Sequence, residues 1–201
     1  MRKLTDKKTE TRERILDAAS GLFRRHGVDA VGVDAVMRAA GLTHGGFYGH
    51  FPSKEALVGE VAAASLARAA TRWEQILDQE GPGGLDTIVR SYLDPAHVSE
   101  VGRGCVLTTM GADVSRRQEQ RPAIEQSVRR MTEALEQGMA GRNHGDAPDR
   151  GGDRSLAALA TMVGAVMLAR LADDPASAEA MLRAARHAVL GESDPDADAR
   201  T

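Results

Sequence analysis

The chain has 201 residues; 42% are hydrophobic but only 3% are aromatic, so Leu, Val, Ala and Met must fill its core. Its formal net charge of −3 is unevenly spread: residues 1–54 hold ten Lys and Arg against six Asp and Glu (+4), whereas residues 55–201 hold sixteen against twenty-three (−7). A single cysteine excludes an internal disulfide framework, no apolar run is long enough to span a bilayer, and the basic N-terminus has no apolar segment behind it, so a cytoplasmic chain with no membrane partner is expected. All four lysines (Lys3, Lys7, Lys8 and Lys54) fall in the basic head, which points to a polyanion as the partner of that part alone. Ala- and Leu-rich runs with almost no alternating β-branched segments predict an all-α protein.

In chain order, residues 1–8 read as a polar, mobile arm, and a first helix is expected from about Thr9, its buried face made by Ile15, Ala18, Ala19, Leu22 and Phe23 and its end set by Gly27. Lys8, Arg12 and Arg14 lie on its outer positions, either within reach of phosphates or as a solvated charged face. Val33, Val36, Met37 and Ala40 mark a second, short helix that stops at Gly41. Thr43 is placed to cap a third helix running to about Gly49, which makes a helix-turn-helix across Gly41 and Leu42. Phe51-Pro52-Ser53 breaks the chain, and Ser53 caps a long helix to about Gln79, with Leu57, Val61, Leu66, Trp73 and Leu77 inward. Further helices are predicted over residues 85–94, 105–116, 122–140, 154–172 and 175–190, with a flexible loop at 141–153 and a disordered acidic tail at 191–201.

The stretch VDAVMRAAGLTHGGFYGHFPSKEALV resembles the DNA-binding signature of the TetR family of regulators, through Ala39-Ala40-Gly41, Thr43, Gly45, Phe47-Tyr48, His50-Phe51 and Ser53-Lys54-Glu55-Ala56-Leu57. The resemblance covers about fifty residues with the preceding helix, and it implies an all-α architecture of about nine to ten helices: a three-helix head over residues 1–53 and a helical ligand-binding and dimerisation domain over residues 54–190. It further implies a homodimer that grips a palindromic double-stranded DNA operator and is released by a small-molecule effector. On this pattern Thr43, His44, Gly45, Gly46 and Phe47 sit where side chains and backbone meet base edges, and Tyr48, His50 and Lys54 where they meet phosphates. The plainer reading of Phe47 and Phe51 is core packing. Gly32 departs from the family's Thr or Ser cap, leaving Asp34 to cap the second helix, and Gly46 and Gly49 stand where larger side chains are common.

For the second domain, Trp73, Tyr92, Cys105, Thr109, Met110 and Met131 are the expected ligand-binding residues, each with an ordinary core role as the alternative. The family's dimer bundle would draw on Leu159, Val163, Val166, Met167, Met181, Leu182 and Ala185. The segment RGCVLTTMGADVSRR looks like the branch that includes regulators of electrophile and drug responses. Cys105 there opens a predicted helix beside Arg103, an electropositive setting in which thiols react; the alternative is a small buried hydrophobe. No catalytic, metal or cofactor motif appears, since the six histidines are scattered and GPGGL lacks the lysine of a phosphate loop. The competing reading is a helical protein-binding adaptor that does not read DNA; steep salt dependence of DNA binding separates the two.

Overall fold

A computed structural model describes residues 2–116, 119–140 and 152–191, the side chains from residue 7 onward. Among these residues there are nine α-helices and no strand: α1 (Arg2–His26), α2 (Val33–Ala39), α3 (Lys54–Glu80), α4 (Gly84–Tyr92), α5 (Pro95–Ser99), α6 (Val106–Ser115), α7 (Arg121–Met139), α8 (Asp153–Ala169) and α9 (Pro175–Leu190). Two 3₁₀ segments, His44–Gly49 and Gly81–Gly83, complete the fold. No helix among the described residues is long and apolar enough to cross a membrane. The predicted loop 141–153 and acidic tail 191–201 lie outside the described residues except at 152, 153 and 191.

Two expectations about helix type and start are corrected. α1 begins at Arg2 rather than near Thr9, because nothing in residues 2–8 breaks a helix; Lys7 and Lys8 favour one, and Thr11 Oγ1 donates to the Lys7 carbonyl at 2.8 Å. The segment after the turn is a 3₁₀ helix of six residues, HGGFYG, rather than an α-helix. Each glycine in a helix costs about 1 kcal/mol relative to alanine, and three of them in six residues leave too little propensity for a regular α-turn.

The chain divides into two compact units, residues 1–67 with 101–125, and residues 68–100 with 126–201. The first therefore extends beyond the residue-53 boundary expected of the head and takes in the beginning of α3 and all of α6. Its core is built from Ile15, Ala19 and Phe23 of α1, Val36 and Met37 of α2, Phe47, Phe51, and Leu57, Val58 and Val61 of α3, all essentially without solvent exposure. In the second unit α8 packs along α9, and α4 also packs on α9. Leu85, Ile88, Val89 and Leu93 fill its interior together with Met131, Leu135, Met162 and Val166. Gly84 and Gly138 permit close approach there, because a Cβ on Gly84 would lie 3.1 Å from the Ile76 carbonyl oxygen and one on Gly138 3.0 Å from Leu85 Cβ.

Capping explains several helix ends. Ser53 Oγ accepts from the Ala56 N–H at 3.1 Å, as its position before α3 predicts. Asp94 accepts from Ala96 N–H ahead of Pro95, so that proline opens α5 instead of merely disrupting α4. Asp174 does the same for α9 through the Ser177 N–H and hydroxyl. These bonds, the Ser177 hydroxyl first, hold the Asp174 carboxyl below its ordinary range.

Candidate nucleic-acid interface

The turn between α2 and the 3₁₀ segment is set by Gly41. Its φ of +68° lies in the left-handed region, which lets Leu42 N–H reach back to the Met37 carbonyl at 2.8 Å and Gly41 N–H to the Arg38 carbonyl at 3.0 Å. This pair of reverse bonds is the Schellman arrangement, and it redirects the chain within two residues. Arg14 of α1 secures the same corner, its Nη2 donating to the Ala40 carbonyl at 2.6 Å. Arg12 is also used internally: it pairs with Glu60 of α3 and lies 4.6 Å from the centre of the Phe51 ring. Both arginines are therefore braces of the head in this structure, and their outward reading gives way to that role.

After the turn, Thr43 occupies the N-cap position in extended conformation but makes no side-chain cap bond, contrary to expectation. Thr43, His44, Gly45, Gly46, Tyr48 and Gly49 are all exposed. Tyr48 is 65% exposed, an unusual setting for an aromatic residue. Phe47, by contrast, is fully buried and stacks on Phe51, ring centres 5.8 Å apart and planes inclined by 27°. Its ring belongs to the core of the head and not to the exposed face, the plainer of the two readings. Gly32 stands at the N-cap of α2 with no side-chain cap bond, and Asp34 does not cap α2 either; its carboxylate pairs with His44 Nδ1.

Beside this face, Lys7, Lys8 and Thr11 of α1 and His50 line an open depression of about 300 Å³. His50 Nδ1 is buried there without a hydrogen-bond partner. Two ammonium groups and an imidazole nitrogen form a set of donors suited to an anionic oxygen, while the Thr11 hydroxyl hydrogen is taken by the Lys7 carbonyl. Lys54, at the first position of α3, adds its charge to the positive end of that helix. The sequence singled out His50 and Lys54, but the grouping of Lys7 with His50 depends on α1 extending seven residues further toward the N-terminus than the apolar periodicity shows.

The other predicted residues are more dispersed. Trp73, Tyr92 and Met131 are buried in the second unit, with the Trp73 and Tyr92 rings edge-to-face at 5.9 Å and the His97 ring 4.6 Å from Tyr92. Cys105, Thr109 and Met110 belong to the first unit. Cys105 is half-buried at the N-cap of α6; Met110 is fully buried, and the Thr109 hydroxyl bonds back to the Cys105 and Val106 carbonyls of its own helix. Of the predicted dimer residues, Leu159, Val166, Leu182 and Ala185 are buried within the chain and Val163 is half-buried, leaving Met167 and Met181 exposed. Helical periodicity alone could not separate the inward from the outward side of α8, which after its first turn is apolar nearly all round. Leu156, Leu168 and Leu171 form the exposed apolar side of α8 and its C-terminus with Met167, and Leu171 is 78% exposed. Among the described residues, no group of three His, Cys, Asp or Glu side chains is placed to hold a metal ion.

Residues 15–61 match the family described as "Bacterial regulatory proteins, tetR family". The chain is 31% identical over 100 residues to the HTH-type transcriptional regulator UidR of Escherichia coli strain K12, a match covering 50% of each chain, so that it spans half the length of that curated relative. Among solved structures, the reduced form of Escherichia coli NemR superposes with a TM-score of 0.73 at 21% identity, covering 90% of this chain and 97% of the other. RolR in complex with resorcinol superposes with a TM-score of 0.56 at 23% identity, covering 94% and 98%. The whole-chain likeness establishes the helical fold, and residues 15–61, with the Schellman turn and the exposed short helix, match the model of the TetR family of bacterial regulatory proteins.

Proposed function

We propose that the chain is a ligand-responsive, DNA-binding transcriptional regulator that acts as a homodimer on a palindromic operator and represses until a small-molecule effector releases it. The observation that carries this reading is the exposed face from Thr43 to Gly49, free of large apolar side chains apart from Tyr48 and bordered by Lys54 and the Lys7–Lys8–Thr11–His50 depression. A short helix presented this way fits a major groove, with Thr43, His44 and the Gly45–Gly46 backbone toward base edges and Tyr48, His50, Lys54, Lys7 and Lys8 toward phosphates. UidR, 31% identical over 100 residues, carries the name of a transcriptional regulator.

Two further parts of the reading have separate support. The exposed apolar residues Leu156, Met167, Leu168 and Leu171, with Met181 of α9, fit a self-complementary helical interface around a twofold axis. Within the second unit, the buried edge-to-face pair of Trp73 and Tyr92 fits an effector site of apolar character, and RolR, a neighbour in fold, was solved with resorcinol bound.

Selection of bound DNA from a random pool by the purified protein tests the proposal. Enrichment of an inverted repeat is expected, with half-sites about 10 base pairs apart or a multiple of that, and affinity should fall steeply with salt. A pool that yields no enriched sequence, with no binding even at low salt, would support the adaptor reading instead.

A further inference from the structure

The exposed segment offers few groups for reading bases. Gly45, Gly46 and Gly49 have no side chains, and Phe47 is buried. His44 is the first residue of the segment, and its side chain is 53% exposed. Its Nδ1 pairs with Oδ1 of Asp34, which stands on the first turn of α2 and is itself 71% exposed. The Tyr48 ring lies edge-on to the imidazole, ring centres 6.3 Å apart at 70°. The ring of His44 is thus held on two sides, by a carboxylate on the preceding helix and an aromatic ring one turn further on.

An ionised carboxylate has no hydrogen to donate, so the hydrogen in the His44–Asp34 pair belongs to Nδ1. In the neutral imidazole this leaves Nε2 with a lone pair, and the bond made by one ring nitrogen decides what the other presents. Nε2 lies across the ring from Nδ1 and has no partner among the described residues. A freely rotating histidine would present either nitrogen in either tautomer and would discriminate poorly between bases. Held as it is, the ring offers one acceptor in one direction. The base-edge groups that complement an acceptor in the major groove are the exocyclic amino groups of adenine (N6) and cytosine (N4).

We infer that Asp34 is a positioning residue for sequence readout: it fixes the tautomer and direction of His44 so that Nε2 accepts from the amino group of one adenine or cytosine in each operator half-site. The inference rests on the DNA-binding reading of the head. Asp34 touches no base; it acts through His44. The carboxylate also carries a negative charge close to the DNA, so its removal is expected to leave general affinity unchanged or slightly raised while discrimination is lost.

The test is sequence selection, followed by competition binding at each half-site position, with the full-length protein, Asp34→Ala, Asp34→Asn and His44→Ala. Wild type should prefer an amino-bearing base at one position by about 5- to 100-fold. His44→Ala and Asp34→Ala should both reduce that preference to about twofold or less at the same position. Asp34→Asn, whose amide oxygen still accepts from Nδ1–H, should retain most of it. Melting curves of the variants confirm that the head is folded, and the ranking of sites, unlike affinity, does not respond to a general loss of stability. The inference is overturned if Asp34→Ala keeps the wild-type ranking, if it relaxes a different position from His44→Ala, or if Asp34→Asn is as indiscriminate as Asp34→Ala. A wild-type protein that enriches no sequence overturns the DNA-binding reading as well.

Discussion

Replacing Gly41 by alanine tests whether the turn geometry governs the head. At φ +68° a Cβ clashes with its own backbone, and the left-handed region costs a non-glycine residue about 1–2 kcal/mol. The added Cβ would also lie 3.1 Å from Arg14 Nη2, the group that donates to the Ala40 carbonyl. Displacing that guanidinium weakens a charge-assisted bond at a partly buried site, a further loss of about 1 kcal/mol. The expected destabilisation is therefore about 2–3 kcal/mol, or a melting temperature lower by roughly 5–10 °C for a chain of this size. Thermal unfolding followed by circular dichroism would measure it, with Gly41→Asn as the control, because asparagine tolerates the left-handed region better than alanine. Operator affinity should fall in the same order, since the Schellman bonds orient the exposed segment on α2. A Gly41→Ala protein that melts within a degree of wild type would refute the reasoning. Equal damage from Asn and Ala would place the effect in the crowding of Arg14 rather than in the backbone.

Three more outcomes follow from particular contacts. Lys54→Ala should weaken binding to all DNA sequences alike and reduce the salt slope by about one unit; a change in site ranking measured by competition would contradict its assignment to phosphate. Leu168→Glu, on the exposed side of α8, should shift the protein from dimer to monomer in sedimentation analysis with little change in helix content, and a variant that remains dimeric would move the interface elsewhere. In the second unit Arg130 donates to both oxygens of Glu74, Nε–Oε1 at 2.8 Å and Nη2–Oε2 at 2.6 Å, and these bonds hold the Glu74 carboxyl below its ordinary range. A depressed folded-state pKa contributes stability above the ordinary glutamate value and loses it as pH falls through the lowered one; Glu74→Gln should thus be less stable than wild type at neutral pH, with the gap closing in acid, and a gap that is constant with pH would show that the ion pair contributes nothing.

The helix pattern was readable because it depends on local chemistry. Ser53, Gly27, Gly41 and Pro95 punctuate the chain through backbone rules that act over a few residues, and α9 opens at Pro175 and ends before Gly191, whose φ is +71°. Residue type alone was less informative wherever two roles share one chemistry. Arg12 and Lys8 are both cations on α1, yet Arg12 pairs with Glu60 and Lys8 faces the depression beside His50. Phe47 fits a thymine methyl or a hydrophobic core equally well until its stacking on Phe51 is seen.

What the sequence determined by itself is therefore the all-helical fold, the basic head and the turn at Gly41, because propensity, charge and positive φ are properties of short stretches of chain. Only the tertiary structure decided which side of α8 and α9 is buried, that α1 brings Lys7 and Thr11 to His50, and that Asp34 takes His44 as its partner. Those arrangements join residues from different helices, and their geometry is settled by how the helices pack, which no local pattern of residues contains.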